Sequence, residues 1–222
     1  MSRLLIGADG TLLELESLGT DVDGGLLDKA RRELLARRPA DGPHRWGYLL
    51  GVEADTRPDL PAATAVDESL RAAVAAAVGD ETGRSYALSF LKAAEGPPPA
   101  ASEGVHYGGF HLDTHPELDG EHGLELARVL INLAATPRRF RFAATDRHTL
   151  AERGVAVHRG DYQVVDLPDD VETRTIEIPA REPGCVHGLR FWASVVPHVG
   201  ADDARGHFLA SYEAVAVYPA EP

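Results

Sequence analysis

The feature that most constrains the fold is a change of hydrophobic period near residue 85. From there on, apolar residues tend to recur at every second position, as Phe140 and Phe142 do among arginines. Alternation with period two is typical of strands that bury one face. Turns rich in Asp, Gly and Pro separate further candidate strands at 128–133, 162–167, 173–178, 189–194 and 207–217. Many short strands at this spacing predict a β sandwich or barrel.

The first 84 residues carry the helical signals. Residues 3–15 predict a β hairpin, and the amphipathic spacing of residues 25–38 predicts a helix. A second helix is predicted over residues 65–78, because Thr64 and Asp67 form a capping-box pattern just before its apolar positions.

The chain length favours one domain. A chain of 222 residues is long enough to bury a sizeable core, and β sandwiches of this size often form a single unit. We therefore expect residues 1–222 to form a mainly β domain with flanking helices. Residues 1–84 would supply the hairpin and helices, and residues 85–217 the β core.

Composition excludes several classes of partner. Acidic residues outnumber basic ones by 35 to 22, so the net charge of −13 should repel nucleic acid. The single cysteine, Cys185, cannot form an intramolecular disulfide, which favours a reducing compartment. Apolar runs are too short for a signal peptide or a membrane span. We expect a soluble, cytoplasmic protein without a membrane partner, and the sequence leaves its oligomeric state open.

Four of the ten histidines fall within one short segment, at positions 106, 111, 115 and 122. On a strand, His111 and Asp113 would point to the same face, so an imidazole and a carboxylate could converge on one metal ion. A simpler interpretation is a His–Asp hydrogen bond in a β turn. A metal site requires a third ligand from elsewhere in the chain.

His198 is the best candidate for that third ligand. It follows a β-rich run and lies at a Pro-His turn, 198 − 111 = 87 residues after His111. His187 competes for the role, although it precedes the strand predicted over residues 189–194. Two histidines and one carboxylate would form a facial triad, which leaves metal positions open for substrates.

In this order and spacing, His111, Asp113 and His198 resemble the metal ligands of the Fe(II)/2-oxoglutarate-dependent oxygenases. The resemblance covers roughly residues 85–217 and implies a double-stranded β-helix, or jelly roll, with the preceding helices buttressing one sheet. It also implies Fe(II) and 2-oxoglutarate as cofactors, with O2 as cosubstrate. In that family 2-oxoglutarate is decarboxylated to succinate while the substrate is oxidised, here by hydroxylation or desaturation.

The family also places a basic residue after the distal histidine, where it anchors the far carboxylate of 2-oxoglutarate. The resemblance assigns this role to Arg205, with Ser211 assisting and His207 as the alternative anchor. These three residues share strand parity, so all can face one cavity. His115 is interpreted as a loop residue that contacts the substrate.

Other arginines have simpler interpretations. Arg138, Arg139 and Arg141 alternate with phenylalanines and are expected to form the solvated face of a strand. Arg128 and Arg139 are kept as reserve anchors for a carboxylate.

The predicted function is hydroxylation of a small-molecule or amino-acid-like substrate. Two alternatives stay open at this point. One is a cupin-type metal-dependent dioxygenase or isomerase that does not use 2-oxoglutarate, with His111, Asp113 and Glu117 as ligands. The other is a β-sandwich binding module without catalytic activity.

Overall fold

The structure is a computed structural model that describes residues 2–5, 12–20, 22–37, 46–51, 59–78, 86–95, 109–114, 118, 123–155, 157–159, 163–200 and 206–217. The helices in these ranges are α1 (Gly24–Ala36), α2 (Pro61–Val78) and α3 (Arg147–Glu152). The strands are β1 (Ser2–Leu5), β2 (Leu12–Gly19), β3 (Trp46–Leu50), β4 (Ala87–Ala94), β5 (His111–Leu112), β6 (Leu124–Asn132), β7 (Arg138–Ala143), β8 (Val157–Arg159), β9 (Gln163–Val165), β10 (Thr173–Ile178), β11 (Cys185–Trp192), β12 (His198–Gly200) and β13 (His207–Val217).

These strands form two antiparallel sheets. In the described part of the chain, the larger sheet has seven strands in the order β1-β2-β11-β6-β13-β4-β3, and the smaller has six in the order β10-β7-β12-β5-β9-β8. The predicted N-terminal hairpin is confirmed by the antiparallel pairing of β1 and β2, and β2 continues the larger sheet by pairing with β11. The expectation of a mainly β chain with flanking helices is therefore confirmed.

Alternating residues of β6 show how the layers are arranged. Ala127, Val129 and Ile131 pack into a core with α1 and α2. Leu126 and Leu130 point the other way, into a second core that also contains residues of β7 and β10 from the smaller sheet. The larger sheet thus buries one face against the helices and the other against the smaller sheet. Burial of these two apolar faces is the main force that holds the layers together.

The helix α2 begins earlier than its sequence predicts. The prediction of a capping box at Thr64 and Asp67 was wrong, because the helix starts at Pro61. Its first backbone N–H groups instead donate to a side chain from α1. Glu33 Oε2 accepts hydrogen bonds from the amides of Ala62 and Ala63 at 2.9 and 3.0 Å. Proline suits the first helical position since its missing N–H would have had no partner inside the helix.

Within the described residues, no helix combines the length and the apolar character needed to cross a lipid bilayer.

Candidate metal centre

The site lies where two short strands of the smaller sheet meet. His198 at the start of β12 is the register partner of His111 at the start of β5, and their ring centroids are 4.6 Å apart. Leu112 points away from the larger sheet into a separate cluster that includes Leu150 of α3. His111 and Asp113, on either side of Leu112, therefore face the space between the two sheets.

Asp113 completes a compact group of three side chains. Its Oδ2 lies 3.2 Å from Nε2 of His198, and its Oδ1 lies 3.9 Å from Nε2 of His111. One ligand atom from each residue lies within 4.8 Å of the others. Asp113 and His198 are buried, whereas His111 keeps partial access to solvent.

Both imidazoles are oriented by backbone carbonyls. Nδ1 of His198 is 2.9 Å from the carbonyl oxygen of Val196, and Nδ1 of His111 is 3.3 Å from that of Gly109. An N–H at Nδ1 that donates to a carbonyl leaves the lone pair on Nε2, the nitrogen that faces Asp113 in each ring. Burial, then the nearby His198, lowers the pKa of His111 to about 4, so its ring is neutral near pH 7.

Asp113 carries a negative charge in this buried place because of its neighbours. Burial alone would raise the pKa of its carboxyl group, but the Arg128 guanidinium and His198 hold the pKa well below its ordinary value. Nη1 of Arg128 donates to Oδ2 of Asp113 at 2.6 Å, and Nη2 donates to Glu213 Oε2 at 2.9 Å. The arrangement provides two imidazole rings and one carboxylate, a donor set suited to a divalent transition metal.

A buried turn between β11 and β12 positions two members of the group at once. The carbonyl oxygen of Ala193 accepts a hydrogen bond from the backbone N–H of Asp113 at 2.9 Å, and that of Val196 binds the ring of His198. Ser194 secures the turn, since its hydroxyl accepts from the amide of Leu126 at 2.7 Å. The same hydroxyl donates to Oε2 of buried Glu125 at 2.6 Å.

Aromatic rings enclose the histidine side of the group. The ring of Phe191 meets that of His198 edge-on with centroids 4.9 Å apart, and Phe142 lies roughly parallel to His198 at 6.0 Å. Both phenylalanines belong to the apolar core between the sheets. His198 is therefore held in one orientation by packing as well as by its hydrogen bond.

Positively charged side chains occupy the neighbouring part of the same space. Burial, then Arg138 and Arg128, lowers the pKa of Lys92 to about 8, while Asp113 acts to raise it. Burial, then Lys92 and Arg138, lowers the pKa of His207 to about 2. Lys92 is on β4, Arg138 on β7 and His207 on β13, so three strands bring these groups together.

Ser211 also faces this region. Its parity on β13 matches that of Leu209, which packs between the sheets. Its Oγ is fully buried and has no hydrogen-bond partner among the described residues. A buried hydroxyl in this state is suited to bind a ligand.

Several residues singled out in the sequence lie away from this group. His187 is on β11, where its Nδ1 lies 3.3 Å from the hydroxyl of Ser17. Arg139 is exposed and paired with Glu177 on the neighbouring strand β10. Arg205, His115 and Glu117 lie outside the described residues.

The interpretation of Arg138 as part of a solvated strand face was wrong. Arg138 is buried together with Phe140 and Phe142, whereas Arg139 and Arg141 are exposed. Residues 138, 140 and 142 share strand parity, and this signal was sufficient to place Arg138 on the inner face. Lys92 and Glu213 were not singled out in the sequence, although each has the parity of inward-facing neighbours on its strand.

Among solved structures, the chain is similar to the Kdo hydroxylase KdoO, a non-heme Fe(II) alphaketoglutarate dependent dioxygenase, in complex with cobalt(II). That likeness has a TM-score of 0.56 at 14% identity and covers 95% of this chain and 81% of KdoO. At this identity the likeness concerns the fold.

Two further structures of the same hydroxylase are also similar. The complex with succinate and Fe(III) has a TM-score of 0.46 at 15% identity and covers 76% of this chain and 65% of that one. The apo structure has a TM-score of 0.49 at 13% identity, with coverage of 89% and 86%. No protein-family model matches the sequence, and no curated protein sequence matches it.

Proposed function

We propose that this chain is a non-haem Fe(II)/2-oxoglutarate-dependent oxygenase that hydroxylates a small-molecule or amino-acid-like substrate. The observation that carries the proposal is the convergence of His111, Asp113 and His198 between two antiparallel sheets. We also propose a double-stranded β-helix, or jelly roll, as the architecture, and the two antiparallel sheets that pack against each other support it.

The three side chains fit a divalent iron ion. Each imidazole turns Nε2 toward Asp113, and the low pKa of His111 keeps that ring available as a neutral ligand. Two imidazoles and one carboxylate form the donor set of a facial triad, which leaves three octahedral positions for other ligands. When bound, iron and 2-oxoglutarate would supply the oxidising chemistry, in which O2 is consumed and 2-oxoglutarate becomes succinate and CO2.

For the cosubstrate, we propose that Lys92 and Arg138 bind the far carboxylate of 2-oxoglutarate. Both cations are in the space between the sheets, and the electrostatic effect of Asp113 on Lys92 indicates that this space adjoins the triad. The hydroxyl of Ser211 is suited to donate a further hydrogen bond. His207 would remain neutral and would line the cosubstrate site without adding a charge. Arg205 remains an alternative anchor, and His115 a proposed substrate contact.

The apolar walls would limit access of water to the reacting groups. Phe142 and Phe191 pack against His198, and residues of both sheets continue this layer. Exclusion of water strengthens the attraction between the buried cations and a bound carboxylate. The chain itself would therefore orient the metal ligands, bind the cosubstrate and shield the site.

Succinate release would test this function. Purified protein is loaded with Fe(II) under anaerobic conditions, then given 2-oxoglutarate, air and a panel of small metabolites and amino acids. We expect iron-dependent succinate production that increases with the right substrate and is lost in Asp113→Asn. Iron binding without any succinate production would contradict the 2-oxoglutarate step and favour the cupin-type alternative. Failure to bind iron would contradict the proposal as a whole.

A further inference from the structure

Arg128 and Glu213 form an ion pair next to the proposed metal site, where Arg128 also contacts Asp113. They are register partners on neighbouring strands β6 and β13 of the larger sheet, with side-chain exposures of 12% and 19%. Both residues share parity with neighbours that pack between the sheets. Neither is part of the proposed ligand group.

The Arg128 guanidinium uses its two ends on two different carboxylates. Nη1 donates to Asp113 at 2.6 Å and Nη2 donates to Glu213 at 2.9 Å, while the guanidinium carbon lies 5.9 Å from the centre of the Phe90 ring. Charge-assisted hydrogen bonds of this kind fix the relative orientation of the two groups and also strengthen their attraction. Arg128 therefore binds Asp113 through one end of its guanidinium and is itself held by Glu213 at the other end.

This chain of contacts has a consequence for metal affinity. A cation bound to Asp113 competes with a metal ion for the same carboxylate, and it repels the metal ion as well. Glu213 reduces this competition, because its carboxylate accepts a hydrogen bond from the same guanidinium and so holds part of its charge away from Asp113.

We propose that Glu213 is a positioning residue for the metal site that acts through Arg128. The inference rests on the proposed function only in that His111, Asp113 and His198 bind a divalent metal ion. It assigns Glu213 no contact with metal, cosubstrate or substrate. Its effect on the site should therefore depend on the arginine between it and Asp113.

A double-mutant cycle on metal affinity tests this dependence. The dissociation constant for Co(II), which also reports coordination geometry by its visible spectrum, is measured for the wild type, Glu213→Gln, Arg128→Met and the double variant. We expect Glu213→Gln to weaken Co(II) binding by about 10-fold, at the lower end of the effect of changing a partner of a metal ligand. In the Arg128→Met background the same substitution should change affinity less than about 2-fold.

Two further variants make the result decisive. Arg128→Gln removes the charge but keeps a polar side chain, so it replaces Arg128→Met as background should that variant fail to fold. Glu177→Gln removes a carboxylate from the exposed Arg139–Glu177 pair and should leave the Co(II) affinity and spectrum unchanged. An equal effect of Glu213→Gln with and without Arg128 would overturn the inference. A wild-type protein that does not bind Co(II) would instead contradict the proposed metal site.

Discussion

His111 and His198 are register partners on neighbouring antiparallel strands, and their ring centroids are 4.6 Å apart. This one pairing brings together two segments that are 87 residues apart (198 − 111) in the chain. Asp113, two residues after His111, reaches the same space because strand residues alternate between faces. This pairing therefore contributes directly to the geometry of the proposed metal site, together with the hydrogen bond from Asp113 N–H to the carbonyl oxygen of Ala193.

Removal of any ligand should abolish tight metal binding. We expect His111→Ala, Asp113→Ala and His198→Ala each to weaken Fe(II) or Co(II) binding by more than about 10-fold, because each removes one of three donors. Isothermal titration under anaerobic conditions measures this. His187→Ala is the matched control and should bind normally. Loss of binding in His187→Ala with retention in His198→Ala would transfer the role to His187.

Variants of the buried cations should lose affinity for 2-oxoglutarate. Lys92→Met and Arg138→Met are each expected to raise its dissociation constant by roughly 10- to 100-fold, which corresponds to the loss of one charge-assisted hydrogen bond. Arg139→Met, next to Arg138 but exposed, should have no effect. A large effect of Arg205→Leu or His207→Leu, with none for Lys92 and Arg138, would assign the anchor to that residue instead.

The affinity for 2-oxoglutarate should also fall at alkaline pH. Burial and the neighbouring Arg138 lower the pKa of Lys92 to about 8, so above this pH the protein loses a positive charge that attracts the dianion. Binding measured from pH 6.5 to 9.5 should be nearly constant at first and then weaken. Lys92→Arg, which stays charged throughout, should flatten this profile. Identical profiles for the two proteins would exclude Lys92 as the titrating group.

Ser194→Ala should weaken both the fold and the metal site. The substitution leaves the buried Glu125 and the amide of Leu126 without this hydroxyl, at a cost of about 1–3 kcal/mol in the free energy of unfolding. It also loosens the turn that binds Asp113 and His198, so Co(II) affinity should fall by about 10-fold. Ser69→Ala, which removes a partly buried hydrogen bond to Thr20, should leave Co(II) affinity unchanged. Equal Co(II) affinities for the two variants would limit Ser194 to stability.

His207 should make the protein sensitive to acid. Burial and the cations Lys92 and Arg138 lower its folded-state pKa from 6.5 to about 2, so below pH 6.5 only the unfolded chain takes up its proton. Stability then falls as the pH falls, by at most about 1.4 kcal/mol per pH unit for one group. Urea unfolding between pH 6.5 and 4.5 should show a shallower decline for His207→Gln. Ser211→Ala, on the same strand, should retain the wild-type slope.

The local sequence pattern was sufficient to predict several secondary-structure elements. The strands β10 and β13 span residues 173–178 and 207–217, as the alternation predicts, because period two and the flanking turn residues are both local properties. The start of α2 was not predicted, because its cap is a side chain of α1 rather than a neighbour in sequence. A cap supplied from 29 residues away leaves no local signature.

The residues of the candidate site likewise include some that the sequence predicted and others that it did not. His111, Asp113 and His198 were found by ligand type, order and parity, and these are properties of the sequence. Lys92, Arg138 and Glu213 were missed, because a charged residue on a strand is usually solvated and burial next to an opposite charge depends on distant partners. The role of Arg128 likewise follows from Asp113 on one side and Glu213 on the other.

The sequence by itself determined the mainly β class, most strand positions, the acidic surface and the three residues proposed to bind metal. Only the tertiary structure decided that β12 pairs with β5, that the Ala193–Val196 turn orients two ligands, and that Lys92, Arg138 and His207 from three strands meet beside them. The physical reason is the range of the interactions. Backbone alternation and turn preference act between neighbours, whereas strand register and buried charge depend on which distant segments share one core.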